Sequence, residues 1–217
     1  MKTNTTEFIP EAVVVANGDF PFRPTPVHKL KSAPYVACCD GAANQYLDSG
    51  LVPDIIVGDS DSIDPQYRRL YASIIHHDPD QETNDQTKAI RFLQGKGFRK
   101  IAIVGATGMR EDHTLGNISL LMEYQKMGLD VRMYTDYGVF IPAENDCSFT
   151  CPVGTQVSIF NFGTQGMTGE GLKYPIRDFQ SWWEGTLNET TEGTFTIRCQ
   201  GPYLVYICLL YTSPSPR

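Results

Sequence analysis

Several features are scarce or missing, and each absence excludes something. The longest apolar runs, AVVVA (12–16) and YLVYICLLY (203–211), fall far short of the roughly 20 residues that span a bilayer. The opening MKTNTTEFIP has no apolar core, so no signal peptide is expected. Basic residues are outnumbered, 18 Lys and Arg against 25 Asp and Glu, for a net charge of −7. With no Lys/Arg stripe, a nucleic-acid surface is excluded, and an anionic ligand needs a cation or a few local basic groups. The cysteines at 38, 39, 147, 151, 199 and 208 form no CxxC pair. Buried free thiols and a reducing, cytoplasmic location are the expectation. No repeat is evident.

What is present divides in two. The 217 residues suit one large domain or two small ones. Segments 12–16, 35–39, 54–58, 73–77, 100–105 and 131–135 are short, β-branched and apolar, several of them on both faces. Helix-like stretches at 41–49, 65–72, 84–95 and 114–127 lie between several of them. Thr83 and Gln86 have capping-box spacing for the third helix. Alternating units of this length predict a parallel sheet covered by helices, an α/β, Rossmann-like domain over 1–139. Beyond that, TQVSIFNF, GTFTIRCQ and GPYLVYICLL read as strands with Gly-rich turns between them. They predict a small all-β (sandwich) domain over 140–210. The Ser/Pro tail at 211–217 is expected to be unstructured.

In a doubly wound sheet, ligands bind outside the carboxyl ends of the strands. Those positions here carry acids: Asp40; Asp59 and Asp61; Asp78, Asp80, Glu82 and Asp85; and Asp112, beside Arg110 and His113. Asp59 and Asp61 are an i, i+2 pair whose carboxylates share a direction if the chain stays extended. Two carboxylates in one site repel unless a cation compensates, and Mg2+ takes one or two carboxylates together with substrate phosphates. An isolated DSD is equally an Asx-type turn with solvated acids; the neighbouring acidic loops favour metal. Asp64, before Pro65, reads as a helix cap.

The second feature is GATGMREDH (105–113). Gly105 and Gly108 allow close backbone approach, and the loop runs into a helix whose free N–H groups and dipole favour phosphate. Arg110 adds a planar fork. Such a turn also serves as a plain tight connection; next to a metal cluster, phosphate binding is the better reading. His113 is either an acid/base or phosphate donor or a helix-start histidine bonded to backbone. Trp182 and Trp183, the two tryptophans of the chain, are either packing residues or an aromatic wall for a flat or cationic ligand. Together these features point to phosphoryl-group transfer, in which the protein chiefly positions groups and neutralises charge.

The ordered pieces CDGAAN, PDIIVGDSDSI, DQETNDQTKAI, GATGMREDHTLGNISLL, GLKYPI and GTLNE resemble the thiamine pyrophosphokinases (thiamine diphosphokinases). The resemblance implies a homodimer of two-domain subunits with active sites between subunits. It also implies Mg2+-dependent transfer of a pyrophosphoryl group from ATP to thiamine. Carried over by position, Asp59, Asp61 and Asp85 are metal-centred acids, catalytic together with Arg110 and Asp112. Asp40, Gly41, Gln81, Gly105, Thr107, Gly108, Arg110, Asp112 and His113 line the ATP and phosphate site. Asn188, with Tyr174, Trp182 and Trp183, contacts thiamine. The chain departs from the usual D-x-T-D at Glu82 and Asn84, and from the usual Ser-Asn at Leu187-Asn188. Alternatives are a diphosphokinase for another heterocyclic alcohol, such as a hydroxymethylpterin, and a sensor that binds thiamine or nucleotide without turnover.

Overall fold

The apolar runs at 12–16 and 35–39 become strands whose residues are buried along the whole element, and the edge strand from 73–77 is the exposed exception. In the computed structural model, which describes residues 2–5 and 7–210, one unit takes Ile9–Asp136 and the other takes the described residues on either side of it. After an initial strand β1 (Lys2–Thr5), the first unit runs β2 (Ala12–Val15), α1 (Pro24–Ser32), β3 (Val36–Cys39), α2 (Ala42–Asp48), β4 (Ile55–Gly58) and α3 (Pro65–Leu70). It continues with β5 (Ile75–His77), α4 (Asp85–Gly95), β6 (Lys100–Val104), α5 (Glu111–Lys126) and β7 (Asp130–Tyr134). Its strands lie in the order β7-β6-β2-β3-β4-β5, and every pair is parallel. Val13, Val14, Ala37, Cys38, Ile56 and Ile103 are fully buried, as a sheet covered by helices demands. From β2 the order runs one way to β5 and the other way to β6 and β7. The topological switch point therefore lies between β2 and β6.

One helix was not anticipated, and two local expectations are corrected. Helix α1 carries no obvious helical signal because it starts with Pro24-Thr25-Pro26; proline is tolerated in the first turn, where no intrahelical N–H bond is needed. Its entry is held instead by Asp136, whose Oδ1 accepts from Phe22 N and Arg23 N. Helix α4 is capped not by a Thr83–Gln86 box but by Asn84, whose side chain accepts from Thr87 N at 3.0 Å; the Thr83 hydroxyl turns to Asp80. Helix α5 begins at Glu111 rather than Thr114. Asp64 caps α3 as expected, accepting from Gln66 N at 2.8 Å.

The second unit is β-rich. It contains β8 (Gly138–Glu144), β9 (Cys147–Thr150), β10 (Gln156–Asn161), β11 (Gln165–Glu170), β12 (Asn188–Glu189), β13 (Thr194–Gln200) and β14 (Pro202–Cys208). They form two ladders, β12-β10-β14-β8 and β1-β9-β13-β11. Phe149 and Phe195 stack at 5.0 Å, and Tyr203 from the other ladder meets Phe149 edge-on at 6.5 Å. The N-terminal residues belong here rather than with the α/β unit, because β1 pairs in parallel with β9; a polar KTNT offers no apolar pattern to reveal that. The tail at 211–217 lies outside the described residues. All six cysteines are free, five of them buried. No helix among the described residues is long and apolar enough to cross a membrane.

Candidate active site

The carboxyl ends of β3 and β4 deliver three acids to one place. One carboxylate oxygen from each of Asp40, Asp59 and Asp61 lies within 4.8 Å of the others. Asp40 is fully buried. Its Oδ2 accepts from Ser62 N at 3.0 Å, while Oδ1 is buried without a hydrogen-bond partner. Burial above all, with the nearby charges of Asp85, Asp59 and Asp61, pushes its carboxyl up to about 6 despite the Ser62 bond. Gly58 makes this possible: a Cβ there would lie 2.6 Å from the Asp40 Cβ.

Asp59 and Asp61 converge, but not along an extended strand. Ser60 between them has φ +68°, and Asp61 N donates to Asp59 Oδ1 at 3.3 Å. The Asx turn and the acidic cluster are thus one object. The loop is pinned from α2 by Asn44, whose Nδ2 donates to Ser62 O and whose Oδ1 accepts from Asp64 N, both at 2.9 Å. Gln81 Nε2 donates to Asp59 Oδ2 at 3.2 Å, the main reason that carboxyl sits below its usual range. An open polar cavity of about 590 Å3 adjoins Asp61, lined by Asn44, Asp48, Ser62, Asp64 and Tyr67 among others.

Asp85 was expected to complete the metal set, yet Asp40 is the acid that joins Asp59 and Asp61. Asp85, first in α4, pairs with Lys88 at 3.2 Å. Its carboxyl is raised by burial and by the charges of Asp59 and Asp61, and held back by Lys88. Lys88 was missed in the sequence; its side chain is only 4% exposed. Its signal is the i, i+3 spacing from Asp85 on one helix face. Asp80, also acidic, is occupied locally: it accepts from Glu82 N and the Thr83 hydroxyl and faces Arg91. Three clustered carboxylates, one with a buried and unpartnered oxygen, have the donor chemistry a hard divalent ion requires.

The loop after β6 closes onto the loop after β2, at the switch point. Gly18 N donates to Gly105 O at 2.6 Å and Asp19 N to Thr107 O at 2.9 Å. Gly105, Gly108 and Met109 all have positive φ. At Gly108 a side chain is excluded in addition by the Asp19 carboxylate, 2.1 Å from where its Cβ would stand. The Asn17–Asp19 loop escaped sequence reading, since it carries no cluster of its own. Gly41 is the N-cap of α2, and there a Cβ would strike Asn17 Nδ2 at 2.3 Å. Arg110 grips Asp112 through two bonds, Nε to Oδ1 at 3.1 Å and Nη2 to Oδ2 at 2.6 Å. Arg110, Asp112 and His113 are all exposed, and the Arg110 guanidinium holds the Asp112 carboxyl low.

In the β-rich unit, Asn188 is buried and its amide bonds the backbone on both sides. Oδ1 accepts from Tyr174 N and Glu189 N, and Nδ2 donates to Tyr174 O. It thereby sets the position of Tyr174. Trp182 packs against Phe160 and Phe162, whereas Tyr174 and Trp183 are 55% and 75% exposed. The preceding Leu187 is exposed and takes φ +60°.

Residues 27–133 match the thiamin pyrophosphokinase catalytic domain and residues 138–206 the thiamin pyrophosphokinase substrate-binding domain. Thiamine pyrophosphokinase of Bacillus subtilis (strain 168) is 30% identical over 164 residues, covering 69% of this chain and 76% of that protein. Thiamine pyrophosphokinase 1 of Oryza sativa subsp. japonica is 30% identical over 129 residues, 48% of each chain; in that match the chain spans about half of its relative's length. The solved thiamin pyrophosphokinase from Candida albicans superimposes with a TM-score of 0.79 at 18% identity, over 95% of this chain and 92% of that one. The Bacillus subtilis structure gives 0.75 at 22% identity, over 93% and 100%. Both structures share the fold, and two consecutive domain matches with a relative covered over three quarters of its length show that this chain belongs to the thiamin pyrophosphokinase family.

Proposed function

We propose that the protein transfers a pyrophosphoryl group from ATP to thiamine, giving thiamine diphosphate and AMP. The observation that carries this reading is the convergence of Asp40, Asp59 and Asp61, with Asp40 keeping one buried carboxylate oxygen without a partner, in a chain of this family. In the reaction the thiamine hydroxyl oxygen forms a bond to the β-phosphorus of ATP. The bond from that phosphorus to the oxygen bridging to the α-phosphorus breaks, AMP leaves with that oxygen, and the hydroxyl proton is released to the medium. A Mg2+ ion held by Asp40, Asp59 and Asp61, with Asp85 beside them, would neutralise charge on the phosphate oxygens.

The chain's own residues have separate tasks in this reading. Gln81 orients the Asp59 carboxylate. The backbone of Gly105–Gly108 and the start of α5 receive phosphate, with Arg110, positioned by Asp112, as the fork and His113 as a further donor. Gly41 keeps the neighbouring loop close. Tyr174, placed by Asn188, joins Trp182 and Trp183 in a wall for the cationic thiazolium ring. The free cysteines suit a reducing cytoplasm, and the exposed Val153, Tyr174, Trp183 and Leu187 suit burial against a second copy in a homodimer.

The test is AMP formation from ATP with Mg2+ and thiamine, by wild type and by Asp59→Asn. Thiamine-dependent AMP that is abolished in the variant is expected. Wild-type rates in Asp59→Asn would sink the metal assignment, and turnover with a hydroxymethylpterin but not thiamine would sink the choice of acceptor.

A further inference from the structure

Asp85 and the phosphate loop lie at different helix starts, and a chain of side-chain amides joins those starts. Asn117, in the second turn of α5, donates Nδ2 to Ala106 O inside the phosphate loop at 2.9 Å. Its Oδ1 accepts from Asn84 Nδ2 at 3.0 Å. Asn84 caps α4 through Oδ1 to Thr87 N, and the next residue is Asp85. The direction of the chain is forced at both ends. Thr87 N–H only donates, so Asn84 must offer its oxygen there and its amide group onward. Ala106 O only accepts, so Asn117 must offer its amide group there and its oxygen back. Neither asparagine can flip without losing a bond.

A second tie runs alongside. Gln86, buried in the first turn of α4, donates Nε2 to Asn117 O at 3.3 Å and to the Tyr124 hydroxyl at 3.2 Å. Thr87 Oγ1 and that hydroxyl are 2.8 Å apart. The first turn of α4, which carries Asp85, is thereby held to α5 and to the loop at its start. Resting on the function proposed above, we propose that Asn117 and Asn84 are positioning residues, a clasp that fixes Asp85 relative to the Gly105–Gly108 phosphate loop. Neither touches substrate. They act through the residues they hold, because displacement of about 1 Å in a transfer site costs up to about a hundredfold in rate.

The test compares wild type, Asn84→Ser, Asn117→Leu and the double variant. Serine keeps the cap oxygen but lacks the amide donor, so Asn84→Ser is expected to melt within about 2 °C of wild type, no more than a loss of about 1 kcal/mol brings at this size. Its kcat/KM for MgATP falls about tenfold while its KM for thiamine stays unchanged. The double variant loses no more than Asn117→Leu alone, because both substitutions break one chain. Wild-type kcat/KM in Asn84→Ser, losses that multiply in the double variant, or an effect confined to melting temperature would each overturn the clasp. If Asn117→Leu does not fold, Asn84→Ser decides. Should wild type make no AMP from thiamine, the function proposal falls, and the clasp is judged by calorimetry with Mg2+ and a non-hydrolysable ATP analogue. Binding about tenfold weaker in Asn84→Ser supports it, and wild-type affinity refutes it.

Discussion

Replacing Asp40 by asparagine should make the metal-free protein more stable while removing its response to Mg2+. Asp40 is fully buried, and its carboxyl is moved from 3.8 to about 6 chiefly by that burial. Such a shift corresponds to about 3 kcal/mol. The sign follows from proton counts: between these two values the folded state holds a proton that the unfolded state has released, so stability falls as pH rises. The penalty begins near the unfolded value and is complete once the pH exceeds the folded one. Asparagine removes the charge but leaves its amide N–H2 where Oδ1 has no partner, at a cost of about 1 kcal/mol or more.

The net expectation for Asp40→Asn is a gain of about 1–2 kcal/mol at pH 7.5 in chelator. That is a melting point higher by about 3–6 °C for a chain of this size. At pH 4.5 the gain disappears, because wild-type Asp40 is then largely protonated. Mg2+ at a hundred times its dissociation constant returns about 2.7 kcal/mol to wild type and little to the variant. Thermal melts at both pH values, with chelator and with Mg2+, measure all of this. A variant melting at or below wild type at pH 7.5 in chelator would refute the reasoning, as would a difference that does not change with pH.

Two further substitutions probe separate parts of the site. Gly58→Ala puts a Cβ 2.6 Å from the Asp40 Cβ, so urea unfolding should show a loss of about 1–3 kcal/mol from overpacking and a weaker Mg2+ response; unchanged stability would mean that the two loops are not tightly apposed. Trp183 is 75% exposed, so Trp183→Ala should leave the melting point nearly unchanged. Its KM for thiamine should rise by the equivalent of about 0.5–2 kcal/mol of lost cation–π attraction, and an unaltered KM removes Trp183 from the ligand wall.

Strands such as 12–16 and 100–105 were legible because burial on both faces forces continuous apolar sequence, and their carboxyl ends then pointed to the acids. Elements whose stability comes from partners distant in the chain were not. The polar β1 forms by pairing with residues 147–150, and α1 relies on Asp136, far along the sequence, for its first amides. The same distinction governs the site. Asp59 and Asp61 announce themselves as neighbours, whereas Asp40 joins them only because Gly58 lets two strand ends approach. At Asn188 the sequence names the residue, and the coordinates add that its amide bonds the backbone of Tyr174 and Glu189.

In the loops after β3, β4 and β5, Asp59 and Asp80 are lowered by hydrogen bonds they accept, while the more buried acids are raised. Asp40 and Asp85 are both raised, each in part by the charges of Asp59 and Asp61. The cation paired with this group is Lys88, whose ammonium stays charged because its bond to Asp85 and the charges of Asp85, Asp59 and Asp78 outweigh burial. One ammonium offsets one carboxylate, so Asp40, Asp59 and Asp61 keep an excess of negative charge at the site proposed above for the metal. A polyanion such as ATP is repelled from that place unless a cation arrives first or with it. On this ground the proposed site is an acceptor for a metal–nucleotide complex rather than for nucleotide alone, and the repulsion stored in metal-free protein becomes part of the affinity for that complex.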